Sequence, residues 1–228
     1  MVALPMELVL AMDLRRDTVV HGKSGLRATY RPLDWGLSPT AEPVGYVKAV
    51  APAFLYIADL DRIEGTGSHD ETIRACADQV QCCYVDRGCR SPTDMLACDR
   101  IVNIVGTETG GSDLSQYRGG FLSIDVKAGT VIPSGADPVT VLSLAQEWAF
   151  DGVIILNIGA VGTENGIAQE QLTRWRTAYD NRLFYGGGIA SVQDLEMLSH
   201  AGFDGAIIST ALHRGAIPLE WIRRGHCC

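Results

Sequence analysis

Short runs of apolar and β-branched residues recur along the whole chain, each four to six residues long. Such runs are typical of strands buried on both faces of a parallel sheet. Most are separated by stretches in which apolar residues have helical spacing, including 71–79, 138–149, 168–179 and 192–201. The eight predicted strands cover residues 8–13, 54–59, 80–85, 100–105, 120–125, 153–158, 182–185 and 206–209.

Eight strands that alternate with helices in 228 residues favour a single α/β domain, a (β/α)₈ barrel over 1–228. The main rival is a doubly wound open sheet. That fold usually carries a glycine-rich dinucleotide loop after its first strand, and residues 14–22 contain no such loop. The barrel is therefore the predicted fold.

The two halves of the chain repeat each other in sequence. Residues 12–20 (MDLRRDTVV) align with 124–132 (IDVKAGTVI), with three identical positions. The insertion 22–43 has no counterpart in the second half. The repeat predicts half-barrels of about 7–116 and 117–217, followed by a C-terminal tail, 218–228. Later pairs follow in the same order: Gly65-Thr66 with Gly162-Thr163, Gly88 with Gly188, Asp94 with Asp194, and Thr107 with Thr210.

Asp13 and Asp125 each end a predicted strand at equivalent positions of the two halves. Because carboxyl ends of barrel strands build the active site, symmetry should set the two side chains on opposite sides of the mouth. Two such carboxyl groups can act as general base and general acid. Alternatively, each aspartate accepts hydrogen bonds from the turn that follows it. The equivalence of the two positions favours catalysis.

A segment with three consecutive glycines, 186–188, joins the seventh predicted strand to a helix. Its backbone N–H groups can approach an anion, and the helix N-terminus favours negative charge. The eighth strand is followed by two hydroxyl side chains. These loops predict a phosphate site of Gly187, Gly188, Ser209 and Thr210, although the glycines could serve only a tight turn.

The equivalent first-half segment, 86–91, holds one glycine and an acid. Arg87 and Arg90 could bind an anion by charge, or Asp86 could pair with one of them and close the site. Gly106 and Thr107 complete this second candidate phosphate site. We also assign His21 and Arg90 as candidate substrate contacts.

Composition restricts the possible partners. Nineteen Lys and Arg against 27 Asp and Glu give a net charge of −8, which disfavours nucleic acid and membrane surfaces. No apolar stretch approaches the roughly 20 residues of a membrane span, and no export signal is visible, so we expect a cytoplasmic protein. The seven cysteines have no zinc-binding spacing, and no motif implies a metal or organic cofactor.

From about residue 7 to 217, the chain resembles the histidine-biosynthesis barrel family, HisA and HisF. HisA isomerises an aminoaldose to an aminoketose on a substrate with two phosphates, and HisF is an ammonia-using cyclase and lyase. The resemblance implies that Asp13 is the general base, that Asp125 is the second catalytic carboxylate, and that the loops named above bind phosphate. The motifs on which this resemblance rests are Asp13 with Thr18-Val19-Val20, Ala58-Asp59-Leu60-Asp61, Ser123-Ile124-Asp125, Gly162-Thr163, Gly186-Gly187-Gly188-Ile189 and Ser209-Thr210-Ala211-Leu212.

Three departures from the family pattern bear on the substrate. Val161 stands where HisA carries an acid, Asp86-Arg87-Gly88 replaces a run of three glycines, and the loop 22–43 is rebuilt. The chain is therefore more similar to a HisA/HisF-related group found in microbes with methanopterin-type one-carbon chemistry.

We expect an Amadori-type isomerase for a phosphorylated sugar or sugar-amine, with one phosphate or an altered pair, rather than the histidine-pathway enzyme. Two alternatives stay open. His21 near the mouth suits a lyase or synthase of coenzyme assembly. The loss of an acid at Val161 suits a non-catalytic protein that binds a phosphorylated metabolite.

Overall fold

Eight parallel strands close into a ring in the computed structural model, which describes residues 6–162 and 167–227. The predicted (β/α)₈ barrel is confirmed, and each barrel strand begins and ends within two residues of its expected position. The elements are β1 (Glu7–Arg15), β2 (Thr18–His21), β3 (Arg31–Pro32), α1 (Pro43–Val50), β4 (Phe54–Asp59), α2 (Leu60–Glu64), α3 (Asp70–Ala77), β5 (Cys82–Asp86), β6 (Ile101–Gly106), β7 (Phe121–Lys127), β8 (Thr130–Val131), α4 (Pro138–Ala145), β9 (Gly152–Asn157), α5 (Gln169–Thr177), β10 (Leu183–Gly186), α6 (Val192–His200), β11 (Gly205–Ile208), α7 (Thr210–His213) and α8 (Leu219–Arg224).

The ring runs β1-β4-β5-β6-β7-β9-β10-β11 and closes where β11 pairs with β1. The remaining strands form two hairpins on its rim. β2 runs antiparallel to β1, with Arg15 opposite Thr18, and β8 runs antiparallel to β7, with Lys127 opposite Thr130. Both residues of each two-residue turn have positive φ, as a type I′ turn requires. The aligned segments of the repeat therefore fold alike.

The loops after β5 and β10 repeat each other as well. Asp94 accepts hydrogen bonds from the backbone N–H groups of Arg90 and Ser91, at 2.8 and 3.1 Å. In the second half, the carboxylate of Asp194 accepts from residues 190 and 191 at the same two distances. Each aspartate thus fixes its loop in the manner of a capping box.

Aromatic side chains seal the amino-terminal end of the barrel. The rings of Tyr84, Phe121 and Phe184 contact one another with centroids 5.1 to 5.5 Å apart. The Arg182 guanidinium lies 5.2 Å from two of these rings and pairs with Glu7. In the described part of the chain, these side chains fill this end of the barrel, which leaves the carboxyl ends of the strands for a ligand.

The segment assigned to a C-terminal tail contains a packed helix. Ile222 of α8 is fully buried, and its carbonyl accepts a hydrogen bond from the Ala53 N–H at 3.0 Å. Burial of this isoleucine holds the segment against the barrel. Among the described residues, no helix has the length and apolar character needed to cross a membrane.

Candidate active site

A cavity of about 220 Å³ opens at the carboxyl ends of the strands. Asp13 and Asp125, which end equivalent strands, both line it. The structure therefore brings the two predicted catalytic carboxylates to one cavity. Another part of its wall comes from the loops after β10 and β11, which contribute Gly187, Gly188, Ser209 and Thr210.

Asp125 lies in the cavity wall and is 2% exposed. Its carboxylate accepts hydrogen bonds from the Ser123 hydroxyl at 2.7 Å and from the Glu108 backbone N–H at 3.1 Å. Burial raises its pKa to about 7, and the negative charge of Asp86 acts in the same direction. These partners lie outside the turn that follows β7, so this aspartate does not serve to cap that turn.

Asp13 is half-buried beneath the inserted loop. Burial raises its pKa to about 7, while the nearby charge of Arg27 lowers it and that of Asp86 raises it. The loop passes over the carboxylate at Gly22, where a Cβ would lie 2.5 Å from Asp13 Oδ2. A side chain at that position would therefore displace the carboxylate.

A third carboxylate, Asp86, lines the same cavity at the end of β5. It accepts a hydrogen bond from the Gly88 N–H at 3.1 Å and a longer one, 3.5 Å, from the Tyr56 hydroxyl. Burial raises its pKa to about 6. Asp86 was not among the predicted catalytic or binding residues, yet it is part of the cavity wall.

The structure does not bring Arg87 or Arg90 to the cavity, and neither pairs with Asp86. Arg87 is buried, with its guanidinium 2.5 Å from Asp70 and 2.7 Å from the Asp94 carbonyl. Arg90 donates to the carbonyls of Gly88, Arg62 and Ile63. The last two carbonyls belong to the final turn of α2, where a cation is favoured.

Gly106 and Thr107 support Asp125 instead of lining the cavity in the described part of the chain. The Thr107 hydroxyl accepts a hydrogen bond from the Asp125 N–H at 3.0 Å. A Cβ at position 106 would lie 2.9 Å from Asp125 Oδ2. The absence of a side chain at Gly106 therefore leaves room for the carboxylate.

The loops after β10 and β11 present backbone and hydroxyl groups to the cavity. Gly187 and Gly188 have φ values of 101° and 79°, which favour glycine. His21 contacts this wall through its Nε2, 3.1 Å from the Thr210 hydroxyl. The Trp35 ring packs edge-on against His21, with centroids 5.0 Å apart. His21 thus lies behind the predicted phosphate loop and is not a lining residue itself.

Arg27 and Glu108 join the inserted loop to the loop after β6, a link that our sequence interpretation missed. Their side chains form a two-point ion pair of 2.8 and 2.6 Å, and both line the cavity. The inserted loop also meets the loop after β9, where the Ser24 N–H donates to the Val161 carbonyl at 2.8 Å. The feature of the sequence that could have indicated Arg27 is its position in the insertion that follows the strand of Asp13.

Val161 lines the cavity on this side, so an apolar side chain stands in the wall. Thr163 of the Gly162-Thr163 motif lies outside the described residues. Within 6–162 and 167–227, no group of three or more His, Cys, Asp or Glu side chains is arranged to hold a metal ion.

Similarity to known proteins identifies the family of this chain. The family described as "Histidine biosynthesis protein" matches residues 7–218. An uncharacterized protein of Methanocaldococcus jannaschii is 32% identical, over 95% of this chain and 97% of that protein. Several relatives, two of which are described here, carry the name 1-(5-phosphoribosyl)-5-((5-phosphoribosylamino)methylideneamino)imidazole-4-carboxamide isomerase. The one from Thermus thermophilus is 29% identical (94% and 97% covered), and the one from Halobacterium salinarum is 28% identical (92% of each chain).

Proposed function

The chain belongs to the histidine biosynthesis protein family, and from this premise we propose that it is an isomerase for a phosphorylated sugar or sugar-amine. The observation that carries the proposal is that Asp13 and Asp125 line one cavity from equivalent strand ends. An aldose–ketose isomerisation removes a proton from one atom and delivers a proton to another, which suits paired carboxyl groups. The relatives named as isomerases support the reaction class.

We assign the general base to Asp13 and the general acid to Asp125. In this scheme, Asp125 protonates the ring oxygen as the sugar ring opens, and Asp13 removes the proton from C2. Asp13 then protonates C1 while the O2 proton passes to Asp125, which gives the ketose and restores both carboxyl groups. Both pKa values are raised to about 7 by burial. At neutral pH, a substantial fraction of the molecules therefore carries one protonated and one ionised carboxyl group, as the reaction needs.

The proposed anchor for the substrate is a phosphate group at the second-half wall. The four residues Gly187, Gly188, Ser209 and Thr210 contribute no carboxylate, and their backbone and hydroxyl groups can donate to phosphate oxygens. A phosphate held there extends the substrate across the cavity toward the three aspartates. Binding energy from this remote group can orient the reacting carbon atoms.

Two features distinguish the proposed substrate from that of the histidine pathway. Val161 cannot transfer a proton, and Asp86 places a negative charge beside the first-half loop. We therefore propose a different phosphorylated sugar or sugar-amine, used in the cytoplasm in one-carbon coenzyme metabolism of the methanopterin type, as the family resemblance implies.

The test uses aldose phosphates and the glycosylamines made from them, beginning with ribose 5-phosphate. Product formation is followed by mass spectrometry and by NMR in D₂O, because exchange with solvent between removal of the C2 proton and protonation of C1 introduces deuterium at C1 of the ketose. We expect a ketose product, and a loss of about 10²- to 10⁴-fold in kcat for Asp13→Asn and Asp125→Asn. Asp99→Asn, which removes an exposed carboxylate, is the matched control and should retain full turnover.

The other candidate functions give different results in the same assay. A lyase or synthase would change the mass of the product beyond the incorporated deuterium. A binding protein would show thermal stabilisation by a phosphosugar without turnover. Full turnover in both active-site variants on an identified substrate would exclude the proposed mechanism.

A further inference from the structure

Asp86 marks the main difference in charge between the two halves of the cavity wall. The loops after β5 and β10 are built alike, since Asp94 and Asp194 hold them with the same hydrogen bonds. The strand before each loop ends differently, in Asp86 in the first half and in Gly186 in the second. A carboxylate therefore faces the cavity where the second half has bare backbone.

The first-half loop is also covered by its own chain. A Cβ at Gly88 would lie 2.9 Å from the Cα of Ile63, so α2 packs directly on the loop backbone. Leu60 and Ile63 of that helix line the cavity. In the second half, Gly187 and Gly188 themselves line it. The backbone that would hold a phosphate is thus open to the cavity on one side and covered by apolar side chains on the other.

The cations near the first-half loop have other partners. Arg87 pairs with Asp70, and Arg90 binds the final carbonyls of α2. Arg27 lines the cavity, but its guanidinium is paired with Glu108 at two points. The other lining cation, Lys127, is exposed at the rim of β7. A phosphate beside this loop would consequently face the Asp86 carboxylate.

We propose that the substrate carries one phosphate, bound by the second-half loops, and that its other end presents a protonated amine to Asp86. Like charges in a partly dehydrated cavity repel, which disfavours a second phosphate, while an ammonium group would pair with the carboxylate. The long Tyr56 contact leaves Asp86 Oδ2 able to accept such a donor. This inference rests on the proposed function, because it assumes a phosphorylated substrate at the same site.

The first experiment compares ligands that differ in one group, by calorimetric titration of the intact protein. Glucosamine 6-phosphate should bind about tenfold more tightly than glucose 6-phosphate, and ribose 5-phosphate should bind at least as tightly as ribulose 1,5-bisphosphate. In Asp86→Asn, the amine preference should disappear, and the affinity for the bisphosphate relative to the monophosphate should rise about tenfold. Asp99→Asn, with one exposed charge removed, should leave both ratios unchanged.

A second measurement depends on no variant. Titration of the wild-type protein with inorganic phosphate, followed by ³¹P NMR, should give one site per chain. Two sites, tighter binding of the bisphosphate, or equal binding of the two hexose phosphates would overturn the inference and leave the proposed isomerase standing. If none of the phosphosugars binds, the phosphate site fails, and with it both the proposed function and this inference.

Discussion

Arg27 donates two hydrogen bonds to the carboxylate of Glu108, at 2.8 and 2.6 Å, and so fastens the inserted loop across the barrel mouth. The charge of the same guanidinium lowers the pKa of both Asp13 and Asp86. One arginine therefore combines two roles, closing the cavity and keeping the proposed general base partly ionised.

Replacement of this arginine should shift the pH dependence of the reaction. In Arg27→Ala, the pKa of Asp13 should rise, because an opposing charge has been removed while burial and Asp86 still act on it. The acidic limb of the profile of kcat/KM, which reports the ionised base, should move upward by about one pH unit. Arg27→Lys keeps the charge and should leave the limb nearly unchanged. An unshifted limb in the alanine variant would show that Asp13 does not set it.

The fold was predictable because its signals repeat along the sequence. Eight buried strands give eight short apolar runs, and the duplicated hairpins preserve Asp13 and Asp125 at the same position of each half. The pair on the cavity wall follows from that symmetry alone. Such inferences need only periodicity and strand direction.

Contacts between remote loops were not predictable in this way. Charge alone made Arg90 a candidate substrate contact, but its guanidinium donates to the carbonyls at the end of α2. Glu108 could not be identified in the same way, because its ion pair with Arg27 depends on the position of the inserted loop, and this loop has no equivalent in the second half. The partner of a long charged side chain depends on which groups the fold brings within its reach, and local sequence patterns do not contain that information.

Thr210 offers a direct test of the proposed phosphate anchor. This residue lines the cavity, and its hydroxyl lies 3.1 Å from His21 Nε2. Thr210→Val keeps the shape and removes the hydroxyl, so KM for the phosphorylated substrate should rise about tenfold while kcat changes little. The control, Ser143→Ala, removes a hydroxyl from the exposed face of α4 and should leave KM unchanged. A loss of kcat alone would contradict a role in binding.

His69 should be important for stability and not for chemistry. Its Nδ1 donates to Asp59, a fully buried carboxylate, at 2.8 Å, and its Nε2 accepts from the Asp17 backbone N–H at 3.1 Å. His69→Ala leaves that carboxylate without its side-chain partner and should lower the free energy of unfolding by about 3 kcal/mol. His200→Ala, at an exposed helix end, should change it by less than about 0.5 kcal/mol. Urea denaturation measures both, and equal values for the two variants would contradict the structural role.

Asp13 should destabilise the folded protein above neutral pH, because its cavity disfavours the charged form. Its pKa is about 7 in the fold, against an ordinary value of 3.8, so the folded state holds this proton more tightly than the unfolded chain. The linked stability is fully present below about pH 4 and is lost as the pH rises toward 7.

Asp13→Asn removes the charge and should therefore unfold with a higher free energy than the wild type at about pH 8, by about 1 kcal/mol after allowance for the partial exposure of the side chain. At about pH 4.5, most of this difference should vanish, since position 13 is then uncharged in the folded state of both proteins. Asp99→Asn should show no such pH dependence, because that carboxylate is exposed. Urea unfolding at the two pH values measures the difference. A gain of the same size at both would mean that the carboxyl group is not held in its neutral form, and the cavity would then lack the property that makes it a proton-transfer site.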